Sequence, residues 1–159
     1  MTEFEKFLQT VAALRNPEHG CSWDKAQTHE SLKRCCIEEA AEVVCGINIL
    51  EKTGNYENLQ EELGDLLMQV VMHAQIAAEE GYFTMDDVIR GINEKMIRRH
   101  PHVFGDAKYF SKEEWDRIKQ EEKQGKEWME DYLPDAFDES KELINAAVQR
   151  KQEKKAGSN

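Results

Sequence analysis

The chain has 159 residues and sets 32 acidic against 21 basic side chains, a formal charge of −11. That length holds one domain with a real core, and so acidic a surface argues against general binding to nucleic acid or anionic membranes. No apolar run approaches the ~20 residues of a membrane span, and the charged N-terminus does not read as a signal sequence. The four cysteines, Cys21, Cys35, Cys36 and Cys45, form no Cys-x-x-Cys pair. They read as reduced thiols of a cytoplasmic protein, three of them in the core.

Taken in order, Thr2 and Glu5 form a capping box, and Phe4, Phe7, Leu8, Val11 and Leu14 make one stripe of a helix ending near Leu14. Residues 15–28, with Pro17 and Gly20 and no period, read as a loop whose Thr28 caps the next helix. Trp23 in that loop is a candidate for stacking on a nucleobase, but the residues alone favour a plug at the end of the bundle. Cys36, Ala40, Val43, Val44, Ile47 and Leu50 mark a second helix. Leu59, Leu63, Leu66, Leu67, Val70, Val71 and Ala74 mark a third, running to about Glu80. Gly54-Asn55 breaks the chain between them, with Asn55 as N-cap.

Gly81 ends the third helix, and Thr84 with Asp87 opens a fourth through Met85, Val88, Ile89, Ile92 and Met96. Lys95, Arg98 and Arg99 share one face near its end. Each is stabilising there simply by facing the helix dipole, but the cluster in so acidic a chain reads as phosphate contacts. Pro101 ends this helix. Ser111 and Glu114 cap another, Leu133-Pro134 breaks the chain, and a last helix from Asp138 to Lys151 packs through Leu143, Ile144, Ala147 and Val148. Residues 154–159 read as a frayed tail. The expected fold is all-α, a helical bundle, with residues 1–122 as its main domain and 123–159 as a helical extension.

The acids of the second and third helices carry the chemistry. Glu38-Glu39-Ala40-Ala41-Glu42 stands on one and Glu61-Glu62-Leu63-Gly64-Asp65 on the other. In an antiparallel hairpin centred near Lys52, Glu42 lies level with Glu62 and Glu39 with Asp65, so four carboxylates converge in two layers. Two like charges ~4 Å apart repel by roughly 4 kcal/mol at an effective dielectric near 20, a large fraction of a domain's net stability. Glu39 even falls inside the apolar arc of its helix. Such crowding calls for a cation, and an all-carboxylate set favours Mg2+ over Ca2+ or a soft metal. The bland alternative is a solvated acidic face, which suits one such motif better than a matched pair.

Four blocks now stand in order: LRNPEHGCSWDKAQT from Leu14, the acids at Glu38–Glu42, those at Glu61–Asp65, and RRHPHVF from Arg98. Together they resemble the MazG-type nucleoside triphosphate pyrophosphohydrolases over about Leu14 to Glu122. The resemblance implies an all-α homodimer or homotetramer that uses Mg2+, with Mn2+ as a substitute. It implies hydrolysis of a nucleoside triphosphate (NTP or dNTP) to the monophosphate and pyrophosphate. By the same resemblance Glu39, Glu42, Glu62 and Asp65 are metal ligands, Glu38 and Glu61 are supporting acids, and Lys95, Arg98 and Arg99 contact phosphate. Glu38 and Glu39 are both candidates for the base that activates water. Ser22 stands where the family usually has proline, and many relatives carry two such domains where this chain has one.

Two other classes compete. A di-iron bundle needs Glu-x-x-His twice, and no histidine here has glutamate three residues before it. A non-catalytic helical module that binds a protein or regulatory nucleotide is the alternative, though pure binding does not call for a crowded acid quartet. The glycine-rich loop of Walker-type NTPases is absent.

Overall fold

The computed structural model describes residues 1–158, all of whose regular elements are helical. The helices are α1 (Glu3–Leu14), α2 (Ser22–Ala26), α3 (Lys33–Thr53), α4 (Glu57–Glu79), α5 (Met85–Arg99), α6 (Pro101–Phe104), α7 (Lys112–Lys123) and α8 (Leu133–Ala156), with a 3-10 helix at Glu127–Tyr132 before the last. The expected all-α class is what the chain adopts. By packing it falls into two compact units: Met1–Phe83 with the chain from Glu139 onward, and Thr84–Asp138.

In the first unit α3 and α4 form an antiparallel hairpin. Gly54 turns the chain with φ of 74° and returns its N–H to the Leu50 carbonyl at 2.8 Å, a left-handed cap that glycine adopts without strain. A Cβ on buried Gly46 would meet Leu59 Cα at 2.7 Å. Backbones therefore touch at that level, and the contact sets the register of the arms. Val71, Met72, Ala74, Ile76 and Ala77 of α4 make the core with Val11 of α1 and Leu32 ahead of α3. In the second unit the predicted capping box of Thr84 and Asp87 is formed, and Ile118 of α7 is the buried apolar side chain.

Several details differ from expectation. The loop after α1 contains the five-residue α2, and Trp23 on it is 57% exposed while Asp24 is buried. Trp23 therefore plugs nothing. Thr28 caps a turn, exchanging hydrogen bonds with Ser31, and α3 begins only at Lys33. Asn55 accepts from the Glu57 N–H at 2.9 Å one residue ahead of the cap position, Tyr56. No cysteine is buried: Cys35 and Cys36 are half-buried, Cys21 and Cys45 exposed, and all four are free thiols. Pro101 opens α6, and Pro134 lies in the first turn of α8, where a missing N–H costs nothing. The last helix therefore starts at Leu133 and continues through Lys154 and Lys155, which are helical and not frayed; Asn159 lies outside the described residues.

The apolar stripes of the hairpin are only partly covered. Val44, Ile47, Leu63, Leu67 and Val70 remain exposed, because α1 covers only part of α4.

Candidate functional site

The hairpin brings together three of the four expected carboxylates. Glu39, Glu42 and Glu62 each offer an oxygen within 4.8 Å of the others, and all three are half-buried. Glu39 is the centre of strain. Its Oε2 is buried, and no donor among the described residues reaches it. Burial first, then the charges of Glu42, Asp65 and Glu62, hold its carboxyl above the ordinary carboxylate range. Asp65 stands outside the triad but near enough to add to that field. It is exposed, and it borders a depression with Phe4 and Phe7 of α1.

These groups suit a hard divalent ion. All the donors are carboxylate oxygens, one buried oxygen lacks any partner, and the like charges need neutralising. Asn58, one turn before Glu62, donates Nδ2–H to Glu62 Oε1 at 2.8 Å, and so orients that carboxylate as supporting residues around metals do. The sequence signal for Asn58 is its i, i+4 spacing from Glu62.

Glu38 and Glu42 already have cationic neighbours. Arg150 of α8 donates to Glu38, and Lys151 Nζ lies 3.1 Å from Glu42 Oε1. Nothing periodic in the sequence announces this pairing. Toward the end of α4, the buried Arg15 guanidinium reaches the carbonyls of Asp24 and Gln27 at 2.6 and 3.1 Å and the Glu79 carboxylate at 2.7 Å. It fixes the loop that presents Trp23. His29 and His73 meet Nδ1 to Nδ1 at 2.7 Å, with Cys36 Sγ 3.3 Å from His73 Nε2.

Lys95, Arg98 and Arg99 lie in the second unit, at the end of α5. There Glu122 of α7 takes both arginines, Arg98 Nη2 at 2.6 Å and Arg99 Nη2 at 2.5 Å. Hydrogen bonds from Arg99 above all, then Arg98, hold the Glu122 carboxyl down at about 2. Arg99 also lies over the Trp115 ring, 5.4 Å from its centroid. Lys95 is half-buried and lines a cavity with Arg98, Arg99 and Glu122.

Fold and site together define a class, all-α proteins whose antiparallel helix pair carries a carboxylate cluster suited to a hard cation. Residues 27–104 match the MazG nucleotide pyrophosphohydrolase domain, so the chain carries a domain of the MazG family. It is 55% identical over 120 residues to the nucleoside triphosphate pyrophosphohydrolase/pyrophosphatase MazG of Thermotoga maritima, a match covering 76% of this chain and 45% of that protein. It is 50% identical over 125 residues to the uncharacterized protein YabN of Bacillus subtilis, covering 76% and 24%. To the nucleoside triphosphate pyrophosphohydrolase of Escherichia coli it is 41% identical over 127 residues, covering 77% and 47%. The chain thus spans less than half the length of these relatives.

Proposed function

We propose that the protein hydrolyses nucleoside triphosphates, NTP or dNTP, to the monophosphate and pyrophosphate by attack of water at the α-phosphorus. The observation that carries this reading is the convergence of Glu39, Glu42 and Glu62 around a buried oxygen without a donor. Names of two of the relatives state the same activity for those proteins.

Glu39, Glu42 and Glu62, with Asp65 beside them, would hold Mg2+, or Mn2+ in its place. When bound, that ion neutralises phosphate charge and lowers the pKa of water. The chain's own side chains do the rest. Glu39 or Glu38 accepts the proton of the attacking water. Asn58 keeps Glu62 in its ligating pose. Trp23, exposed and anchored through the Arg15 contacts, offers an indole face to the base. Lys95, Arg98 and Arg99 contact phosphate by the resemblance, with Glu122 as the partner that the two arginines exchange for it.

The exposed apolar residues of the hairpin, Val44, Ile47, Leu63, Leu67 and Val70, suit burial against a second copy, and we read the protein as a homodimer or homotetramer. No helix among the described residues is long and apolar enough to cross a membrane. We read the four free thiols as those of a cytoplasmic protein. Glu39→Ala and Asp65→Ala test the proposal. Each abolishes pyrophosphate release while the far-ultraviolet circular dichroism stays that of the parent. Full activity in either variant assigns the chemistry elsewhere, and nucleotide binding without any turnover in the parent favours a non-catalytic regulatory module.

A further inference from the structure

One cationic surface has no part in the proposed hydrolysis. On α8, Ala147, Arg150, Lys151 and Lys154 follow helical spacing and share one face, which lies along α3. Arg150 pairs with Glu38, Lys151 with Glu42, and Glu139 with Lys33 at 3.1 Å. Between the two helices is a cavity of about 460 Å³, and the charged groups on its walls are Arg34, Glu38, Glu42, Arg150, Lys151 and Lys154. Four cations thus face two acids, an island of excess positive charge in a chain whose formal charge is −11. Arg150 and Lys151 stand more than a turn from the end of α8 at Ala156, beyond the reach of the helix dipole. Docking of α8 does not require them on these two acids either, because the cation of each pair is open to solvent, where an ion pair stabilises by only about 0–1 kcal/mol.

What sets the pairs apart is the identity of their partners. Glu38 and Glu42 belong to the acid cluster that the proposed function assigns to water and metal. A carboxylate whose charge is met by a divalent ion attracts an ammonium or guanidinium far less. Occupation of the cluster therefore frees Lys151 from Glu42 directly, and the positive field of the ion on the same helix face weakens the Arg150 pair with Glu38, so that both cations turn to the polyphosphate that follows the ion.

We infer that Arg150 and Lys151, supported by Arg34 and Lys154, form a polyphosphate-binding wall. They neutralise the acids before the divalent ion arrives and grip the phosphate chain afterwards. This inference rests on the proposed function, since it takes the acid cluster as the divalent site.

The test uses the whole chain, with Mg2+ alone and then inorganic tripolyphosphate in saturating Mg2+ as calorimetric probes. The double variant Arg150→Ala/Lys151→Ala binds Mg2+ alone at least as tightly as the parent, because its competitors are gone. Its affinity for tripolyphosphate falls roughly 10- to 100-fold, as loss of charge-assisted hydrogen bonds predicts. Arg150→Lys/Lys151→Arg keeps affinity within about 3-fold, well under 1 kcal/mol. Glu139→Gln loosens the docking of α8 while keeping its cations, and it too leaves the affinity near that of the parent. Unchanged tripolyphosphate binding in the double alanine variant overturns the inference. So does tighter binding, which makes α8 an inhibitory strap, and so does an equal loss in Glu139→Gln, which reduces the cations to docking. A parent that binds Mg2+ and tripolyphosphate but releases no pyrophosphate from any NTP refutes the proposed function and leaves this wall standing.

Discussion

Glu39 of α3 and Glu62 of α4 bring carboxylate oxygens within 4.8 Å of each other across the hairpin, and no donor among the described residues reaches the buried Oε2 of Glu39. Without a cation this arrangement opposes folding, and the proposed Mg2+ would relieve it. Glu39→Gln relieves the repulsion, stabilising the metal-free protein by about 1 kcal/mol and raising its melting temperature by roughly 2–4 °C. The same variant loses the upward shift that Mg2+ gives the parent. Thermal unfolding with and without Mg2+ checks both halves.

Asn58 is predicted to act on the ion through Glu62. Asn58→Ala leaves Glu62 without the 2.8 Å donor and lowers Mg2+ affinity about 10- to 100-fold, while the melting temperature of the metal-free protein changes little. Calorimetric titration with Mg2+ measures this, and unchanged affinity removes Asn58 from the site.

Gly46 sets the approach of the two arms. A methyl group there meets Leu59 Cα, so Gly46→Ala forces the backbones apart and costs about 1–3 kcal/mol. Denaturant unfolding reads that loss. Because the acids sit on the same arms, Mg2+ affinity falls with it.

The pH dependence follows two groups with depressed pKa values. Glu122 is held at about 2 by its arginine partners, below the roughly 4.3 of an unfolded glutamate. Its stabilising contribution is complete above the unfolded value and is lost as the pH falls from there toward about 2, where the unfolded chain binds the proton and the folded one does not. His73 is lowered by burial and then by His29; its contribution is complete above about 6.5 and is lost as the pH falls below that. Glu122→Gln flattens the acid limb of the stability profile. His73→Gln flattens the fall that begins near neutrality. Melting temperatures between pH 8 and pH 3 separate the two.

Local signals served the fold well. Thr2, Thr84 and Ser111 cap where their spacing places them, and Gly54 turns the hairpin, because each of these depends on a few neighbouring residues. The convergence of Glu39, Glu42 and Glu62 was legible too, since matched motifs on helices of known period fix which faces can meet, whereas Asp65, expected level with Glu39, stands outside the triad. The misreadings have a common cause in packing at a distance. Nothing near Trp23 says that Arg15 will reach past it to Glu79 and leave the indole in solvent. The stripes through Val44 and Leu67 carry helical period whether a neighbour in the same chain covers them or not. The pairing of Glu122 with two arginines, and of Arg150 and Lys151 with Glu38 and Glu42, joins residues of separate helices whose charges look like ordinary solvated faces in the sequence. The tail was misjudged on polarity alone, although its lysines lie in the last turns of α8, where cations are favoured.

The bond that is broken tests the central claim most directly. A panel of NTPs and dNTPs is incubated with the parent protein, and pyrophosphate and orthophosphate are assayed separately, with Mg2+ present and after its removal by chelation. The expected outcome is one pyrophosphate for each monophosphate, no orthophosphate, and no reaction without a divalent ion. Orthophosphate as the product, or equal turnover in the presence of chelator, contradicts it.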